Sequence, residues 1–259
     1  TFDALDYASA EGNPDFLVSL IVDHREVWLF GAESTEVFYN SGNVDFPIER
    51  QNTTLEHGCA AKFSVAKIDN TVFWLGKDKL GQGTVWRAQG YSPVRIGTHA
   101  LEFAIGGYGD ISDAIAYTYQ QEGHSFYVLT FPSANKTWVY DASTNLWHER
   151  AYLKPSDGSM NRHRSNCHIF YNNLHMVGDW ENGKIYALDM DYYSDNGDPM
   201  PAIRTGGHVT NPDALYMFWS ELELFMETGV GLQSGQGSAP VVHLDWSDDG
   251  GHTWSNKHN

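Results

Sequence analysis

The chain alternates between short apolar runs and turn-forming residues. Val, Ile, Phe, Tyr, Trp and Thr make up the runs, and Gly, Asn, Asp and Pro stand between them. Runs of this composition and length predict β-strands. Helical periodicity is nearly absent, and the best candidate for a helix is Thr98 to Ile105. The pattern therefore predicts an all-β protein.

An internal repeat organises these runs. One set of similar runs reads EVWLFG, TVFWLG, SFYVLTF and LHMVGD. Each is followed by a second run, and these second runs begin at Glu36, Thr84, Thr137 and Lys184. Their spacing of 47 to 53 residues is close to the roughly 40–50 residues of one propeller blade. The shared period predicts one supersecondary unit that recurs along the chain.

Further runs complete the repeat. FLVSLIVD, KFSVAKID, DAIAYTYQ and NCHIFYNN precede the pairs, while PVRIG and LWHERAY follow two of them. Because four antiparallel strands form one blade, the sequence predicts a β-propeller-like body over residues 1–208. Its blades are expected at about 17–60, 61–108, 109–160 and 161–208. Residues 209–259 are expected to be a further β-rich segment, either an incomplete fifth blade or the start of a separate β-sandwich.

Stacking of neighbouring sheets explains the aromatic content of 14%. A four-stranded sheet cannot bury its apolar faces alone, so each blade must pack against the next. Large aromatic side chains fill such spaces efficiently. Five tryptophans are expected in this packing role: Trp28, Trp74, Trp86, Trp138 and Trp147.

The net charge of the chain limits the kinds of partner that it can bind. The 259 residues contain 16 Lys and Arg against 33 Asp and Glu, a formal net charge of −17. A module that grips nucleic-acid phosphates normally carries a basic patch, which this balance disfavours. An acidic surface instead suits a wall past which DNA slides without binding.

Other features of the composition exclude several protein classes. No apolar stretch approaches the ~20 residues of a membrane-spanning helix. The only cysteines, Cys59 and Cys167, provide neither a disulfide framework nor a thiolate cluster for zinc. The opening TFDALDYASAEG and the closing SNKHN look like the interior of a polypeptide, so the chain is expected to be part of a longer one.

The sharpest local motif lies near the end of the chain. Residues 247–254 read SDDGGHTW and match the Asp-box S-x-D-x-G-x-T-W, a hairpin turn found in sialidase-like propellers. Its Asp accepts backbone N–H bonds and its Gly supplies unusual backbone angles. The predicted structural turn residues are Ser247, Asp249, Gly251 and Trp254.

A sialidase-like or lectin-type glycan-binding propeller is the alternative that this motif raises. Cleavage would require an arginine cluster for the substrate carboxylate, a Tyr/Glu nucleophile pair and an acidic general acid. The eight arginines form no such motif, and a single Asp-box is present. No catalytic residue is therefore predicted, although a glycan-binding role stays open.

Several polar segments are candidates for metal or partner sites. In NRHRSNCH (161–168), His163, Cys167 and His168 fit no known zinc spacing, whereas Arg162 and Arg164 suit a partner's carboxylates. The acidic segment ALDMDYYSDNGD (187–198) fails the calcium-loop pattern. The Gly-rich loop 229–237 lacks a phosphate-binding motif and is expected to contact subunits or partners through Gln233, Ser234 and Gln236. Neither a metal nor a cofactor is predicted.

Six segments carry a resemblance to a known family. They are LIVDHREVWLFGAESTEVFYNSG (20–42), HGCAAKFSVAKIDNTVFWLG (57–76), GYGDISDAIAYTYQQEGHSFYVLTFP (107–132), NRHRSNCH (161–168), METGVGLQSGQG (226–237) and WSDDGGHTWSN (246–256). Along nearly its whole length the chain resembles the packaged-DNA stabilisation proteins of short-tailed phages, which act as the tail hub, or nozzle.

The resemblance implies a non-enzymatic structural protein of the virion tail, assembled in the cytoplasm of the bacterial host. It implies a ring of about six copies, a homohexamer, below the portal and the tail adaptor and above the tail needle or tip. Such a ring closes the tail channel and retains packaged DNA until ejection.

Charge and assembly refine this expectation. Carboxylates such as Asp110, Asp113, Asp189 and Asp191 would repel DNA phosphate if they lined the channel, so DNA would pass without sequence-specific binding. A cyclic ring uses two different patches of each copy. The loops 77–83 and 229–237 are expected contact sites between copies.

Overall fold

The computed structural model describes residues 7, 9–10, 12–44, 46–78, 80–211, 213, 217–226, 234–235 and 238–258. The chain divides into two compact units. The first comprises residues 1–152 and 160–189, and the second comprises residues 153–159 and 190–259. Each unit is described by itself.

Four antiparallel sheets of three or four strands make up most of the described part of the first unit. The first contains β1 (Leu17–Asp23), β2 (Glu26–Gly31), β3 (Thr35–Asn40) and β4 (Ile48–Leu55). The second contains β5 (Ala66–Ile68), β6 (Thr71–Lys77), β7 (Gly83–Gln89) and β8 (Ser92–Arg95). After α1 (His99–Gly106), the third contains β9 (Ile115–Gln121), β10 (His124–Phe131), β11 (Lys136–Asp141) and β12 (Leu146–Glu149). The short strands β13 (Ala151–Leu153) and β14 (Met160–Arg162) pair only with each other and are not counted among the four. The fourth sheet contains β15 (Ser165–Tyr171), β16 (Leu174–Asp179) and β17 (Ile185–Leu188).

The same turn opens each of these four sheets. A two-residue turn joins the first and second strands, with positive φ at both central residues: His24 and Arg25, Asp69 and Asn70, Glu122 and Gly123, Asn172 and Asn173. This geometry matches the right-handed twist of antiparallel strands. Asn, Asp and Gly tolerate positive φ better than other residues, so sequence chemistry fixes the register at most of these turns.

Adjacent sheets share apolar cores. Trp28 and Phe30 of the first sheet pack against Val72 and Trp74 of the second, and Phe30 and Trp74 have ring centroids 5.3 Å apart. A second core joins the second sheet to the third and includes Phe73 and Leu75 of β6, Leu101 and Ile105 of α1, and Tyr127 and Leu129 of β10. The third core, towards the fourth sheet, is smaller and contains Tyr119, Val128 and Val139 with Leu188 packed against them.

The predicted tryptophans lie in these cores. Trp28 and Trp74 are buried, and Trp86, Trp138 and Trp147 are half-buried against the same clusters. The all-β, propeller-like architecture predicted from the sequence is confirmed. The blade boundaries stay a prediction; in the described residues the fourth sheet has three strands.

Helix α1 connects the second and third sheets where the sequence predicted a helix. Thr98 caps it by accepting a hydrogen bond from the backbone N–H of Leu101 at 3.3 Å. Leu101 and Ile105 face the core, and Phe103 points outward with 77% of its surface exposed. The described chain contains no helix long and apolar enough to cross a membrane.

The second unit has few regular elements among its described residues. β18 (Ser194–Asp195) and β19 (Asp198–Pro199) form a hairpin through Asn196 and Gly197, both at positive φ. Further on, an isolated antiparallel bridge joins Leu244 to His258. A fifth blade or β-sandwich over residues 209–259 stays a prediction.

Candidate functional site

Neighbouring sheets of the first unit meet at their first strands. Lys67 Nζ of β5 donates to the carbonyl of Val22 in β1 at 3.1 Å, and Thr118 Oγ1 of β9 donates to the carbonyl of Lys67 at 2.9 Å. A parallel bridge joins Phe63 to Ile115, and β9 also contacts β15. The first strands of successive sheets therefore lie side by side on one face of the unit, which we call the first-strand face.

Two grooves open on the first-strand face. The apolar groove has a volume of about 640 Å³, and its lining includes Leu17, Leu20, Lys62, Phe63 and Ile115. The polar groove has a volume of about 740 Å³, and its lining includes Asp69, Asn70, Thr118, Gln120, His168 and His175. Their linings differ in chemistry because the first strands change from aliphatic in β1 to polar and aromatic in β9 and β15.

The first-strand face is nearly neutral. Within β1, β5, β9 and β15, Asp23 and Lys67 are the only Asp, Glu, Lys or Arg residues. Asp110 and Asp113 lie instead in the loop after α1. The backbone N–H and hydroxyl of Ser112 bind Asp110 and lower the pKa of its carboxyl group. Asp189 and Asp191 follow β17 and are exposed, and a channel position for these four carboxylates stays a prediction.

The two arginines of the segment 161–168 make contacts within the chain. The Arg164 side chain is 9% exposed, and its Nη1 lies 3.3 Å from Asp179 Oδ2 and 2.9 Å from Glu181 Oε2. Its guanidinium carbon also lies 4.0 Å from the centre of the Tyr152 ring. The charge of Arg164 is thus neutralised internally, which sequence spacing alone did not indicate.

Arg162 is held by an aromatic ring. Its guanidinium carbon lies 4.1 Å from the centre of the Trp180 ring, and burial lowers the pKa of its guanidinium group. Its backbone N–H donates to Asn135 Oδ1 at 3.0 Å, which ties the segment to the turn after β10. Contact of Arg162 or Arg164 with another protein stays a prediction.

A buried hydrogen-bonded chain links the third sheet to the fourth. Tyr117 OH and Ser165 Oγ are 2.5 Å apart, and Ser165 Oγ and His163 Nδ1 are 2.6 Å apart. The backbone N–H of Ser165 also donates to His163 Nδ1 at 3.3 Å, so this nitrogen is an acceptor and the ring is neutral. Burial raises the pKa of Tyr117 to about 12. Ser165 is 1% exposed, so this serine–histidine pair is inaccessible to substrate and has a structural role.

An aromatic cluster lies beside this chain. His168 Nε2 and His175 Nδ1 are 3.1 Å apart, and the His168 ring stacks on Tyr117 with centroids 5.8 Å apart and an interplanar angle of 15°. Arg150 Nη1 donates to Tyr119 OH at 2.5 Å, and its guanidinium carbon lies over the Tyr119 and Phe126 rings at 5.6 and 5.0 Å. The cluster binds the fourth sheet to the third by ring stacking and hydrogen bonds rather than by a large aliphatic core.

The Asp-box residues form one hairpin turn in the second unit. Ser247 Oγ accepts the backbone N–H of Gly251 at 2.7 Å, and Asp249 accepts the backbone N–H and hydroxyl of Thr253 at 2.8 and 2.6 Å. The hydroxyl of Thr253 contributes most to lowering the pKa of Asp249 to about 2. Gly251 has a φ of +94°, and Trp254 is 48% exposed. The hydrogen bonds of the Ser247 and Asp249 side chains stay within the turn, so the geometry suits a structural role.

The candidate contact loops are only partly described. Gln233 and Gln236 lie outside the described residues, while Ser234 is exposed. In the loop 77–83, Asp78 Oδ1 accepts the backbone N–H groups of Leu80 and Gln82 at 2.9 and 2.8 Å, and Leu80 is 92% exposed. Subunit contact through either loop stays a prediction.

The arginine arrangement gives no support to a sialidase-like site. Arg50 pairs with Glu36, Arg95 with Glu102, and Arg164 with Asp179 and Glu181, each in a different part of the first unit. Among the described residues no three His, Cys, Asp or Glu side chains are grouped so as to hold a metal ion.

Sequence reasoning missed two buried polar features. Glu102, which binds Arg95, and the pair formed by Ser165 and Tyr117 were not predicted. Glu102 carries a sequence signal, because a charged residue at a position flanked by core residues of a helix needs a partner. The Ser165–Tyr117 pair joins residues 48 positions apart, so local pattern contains no sign of it.

Comparison with known protein families agrees with the resemblance found in the sequence. The family model described as Phage_stabilise, Bacteriophage P22 Gp10, beta-propeller, matches residues 1–193. Among solved structures, the crystal structure of the computationally designed Ika4 protein is similar with a TM-score of 0.31 and 14% sequence identity, over 70% of this chain and 94% of the designed one. No curated protein matches the chain.

Proposed function

Because the chain belongs to the phage stabilisation family of bacteriophage P22 Gp10, we propose that this phage structural protein is a tail-hub, or nozzle, subunit that closes the tail channel and retains packaged DNA until ejection. The observation that carries the proposal is the family match over residues 1–193. In this role the protein needs a rigid body and several protein contacts, and it performs no reaction.

The packing of the first unit supports a mechanical role. Three successive cores join the four sheets, and side chains such as Phe30, Trp74 and Tyr127 are almost completely buried within them. Close-packed interiors resist deformation and transmit strain. A series of sheets joined in this way can bear the load of confined DNA without an additional ligand.

Charge supports passage of DNA without binding. The net charge of −17 opposes retention of phosphate on the protein surface, and unlike charges would be needed to grip it. Where a channel wall is acidic or neutral, DNA slides past it. We therefore propose that the hub retains DNA by closing the channel sterically and not by binding phosphates.

The proposed assembly is a homohexameric ring in the virion tail, assembled in the host cytoplasm. It contacts the tail adaptor on one side and the tail needle or tip on the other. Each copy then uses two different surfaces towards its neighbours, as closed cyclic rings require. Exposed residues such as Phe103 and Leu80 provide apolar contact area for these partners.

A genetic complementation experiment tests the function. Particles assembled without the protein should package DNA and then lose it, so the fraction of nuclease-protected genome per head should fall sharply. Complementation with the wild-type chain or with the exposed-site variant Leu146→Ala should restore protection, whereas Trp74→Ala should not, because Trp74 is buried and Leu146 is 64% exposed. Full genome protection in particles that lack the protein would contradict the proposal.

A further inference from the structure

The contact between the third and fourth sheets differs from the other two in chemistry. Three histidines, His163, His168 and His175, lie between β9 of the third sheet and the strands of the fourth; we call them the histidine seam. The two larger cores contain no histidine among their buried residues. His57 lies beside one of them and stacks on Trp86 with centroids 4.0 Å apart.

His163 depends on remaining neutral. Its Nδ1 accepts the backbone N–H of Ser165, and a proton on that nitrogen would place two donors against each other. Burial, and then the positive charges of Arg150 and Arg164, lower the pKa of His163 to about 4, opposed by Asp179. A protonated His163 therefore loses a hydrogen bond and is repelled by two guanidinium groups.

His168 and His175 face each other across one hydrogen bond. Their facing nitrogens are 3.1 Å apart, so one must donate and the other accept. If both rings carry a second proton, two N–H groups and two positive charges face each other. Burial, followed by the charge of His175, lowers the pKa of His168.

Most charged groups around the histidine seam are already bound to other groups of the protein. From the third sheet, β9 contributes the neutral Tyr117 and Tyr119, and the residue after β12 contributes the cation Arg150. Asp179 of β16 is bound to Arg164 and to the backbone of Glu181. On the third sheet, His148 of β12 accepts a hydrogen bond from Arg150 Nε at 3.2 Å. Burial, and then the charge of Arg150, lower the pKa of His148 to about 4, opposed by Asp141. The polar groove adds Asp23, Lys67 and Asp69; Lys67 is bound to the carbonyl of Val22, and Asp23 to His24.

We propose that the histidine seam is a proton-operated release: acidification detaches the fourth sheet from the third while the first three sheets stay packed. The seam holds its sheets with polar and aromatic contacts that require neutral imidazoles, whereas the other two contacts are larger apolar cores. The direction of the pH effect follows from the lowered pKa of His163. A histidine whose folded pKa is depressed stabilises the fold fully above its unfolded pKa of about 6.5, and this stabilisation is lost as the pH falls towards about 4.

Hydrogen exchange of the full chain, measured by mass spectrometry and corrected for the intrinsic pH dependence of exchange, tests the proposal. Peptides covering β15–β17 should lose protection as the pH falls from about 7 to about 4, at a higher pH than peptides covering β5–β8. Simultaneous loss of protection in both regions would overturn the proposal.

Variants distinguish the effect of protonating the histidine seam from general unfolding of the protein in acid. His168→Gln with His175→Gln replaces the two facing imidazoles of the seam by amides that keep hydrogen bonding, so the pH at which β15–β17 lose protection should fall by about one unit. His99→Gln, at the exposed start of helix α1, is the matched control and should leave that pH unchanged. If the double variant does not fold, His163→Asn provides the same readout. An unchanged midpoint in a folded seam variant would also overturn the proposal.

Discussion

Glu102 of helix α1 binds Arg95 of β8 through both carboxylate oxygens. Arg95 Nε donates to Glu102 Oε1 at 2.6 Å, and Arg95 Nη2 donates to Oε2. The Glu102 side chain is 5% exposed and the Arg95 side chain is 52% exposed. Gly97 permits this approach, because a Cβ atom there would overlap the Glu102 carboxylate. The ion pair therefore attaches helix α1, which connects the second and third sheets, to strand β8 of the second sheet.

Glu102→Gln should destabilise the first unit by about 1–2 kcal/mol, because it removes the charge of a buried two-point ion pair whose arginine stays partly hydrated. Urea unfolding followed by tryptophan fluorescence measures the change in the free energy of unfolding. The matched control is Glu149→Gln, which removes the exposed pair with Lys136 and should change the free energy by less than about 0.5 kcal/mol. Equal effects of the two variants would contradict this interpretation.

Trp74→Ala should destabilise the first unit by about 3–5 kcal/mol. The Trp74 side chain is fully buried between the first and second sheets, and its Nε1 donates to the carbonyl of Gly58 at 3.2 Å. The loss combines a cavity with an unpaired backbone carbonyl. Thermal unfolding of Trp74→Ala beside the exposed variant Leu146→Ala provides the measurement, and a midpoint equal to wild type in Trp74→Ala would be inconsistent with this packing.

Ser165→Ala should lower the free energy of unfolding by about 1–3 kcal/mol. The substitution removes the hydroxyl that binds both the buried Tyr117 hydroxyl and the acceptor nitrogen of His163. Ser112→Ala is the control, since Ser112 is exposed and its hydroxyl binds only Asp110 among its described partners. Chemical denaturation at neutral pH compares the two. A Ser165 effect no larger than the Ser112 effect would show that the buried chain is not structural.

Asp249 should titrate at about pH 2 in the folded hairpin, because its carboxylate accepts bonds from Thr253 and Ser247. Its folded pKa lies below the usual value of about 3.9, so the turn is stabilised above that pH and loses this support as the pH falls towards 2. Carboxyl carbon chemical shifts from NMR measure the titration. In Thr253→Val, which removes the hydroxyl donor, the midpoint should rise; an unchanged midpoint would contradict the assignment.

Local chemistry made much of the fold predictable. The turn residues Asp69 and Asn70, the helix cap Thr98 and the hairpin Asn196–Gly197 each act within a few positions of the chain. The repeat of two strand patterns then predicted stacked sheets, and the buried Trp28 and Trp74 occupy the expected spaces. Fold class was therefore accessible from the sequence because its determinants are local or periodic.

The polar interior was less predictable for a physical reason. Arg164 binds Asp179 and Glu181, which the antiparallel pairing of β15 and β16 brings beside it, and the sequence did not indicate this pairing. The hydrogen bond between Ser165 and Tyr117 likewise depends on how two sheets stack. Such pairs follow from tertiary register, which no pattern within one strand encodes.

If this chain is a tail-hub subunit, the ring fixes its copy number in each virion. Quantitative mass spectrometry of purified phage particles measures the ratio of this protein to the portal protein. We expect a small fixed number per particle, about six, as one closed ring requires. Absence from particles, or an amount that varies between preparations, would contradict it.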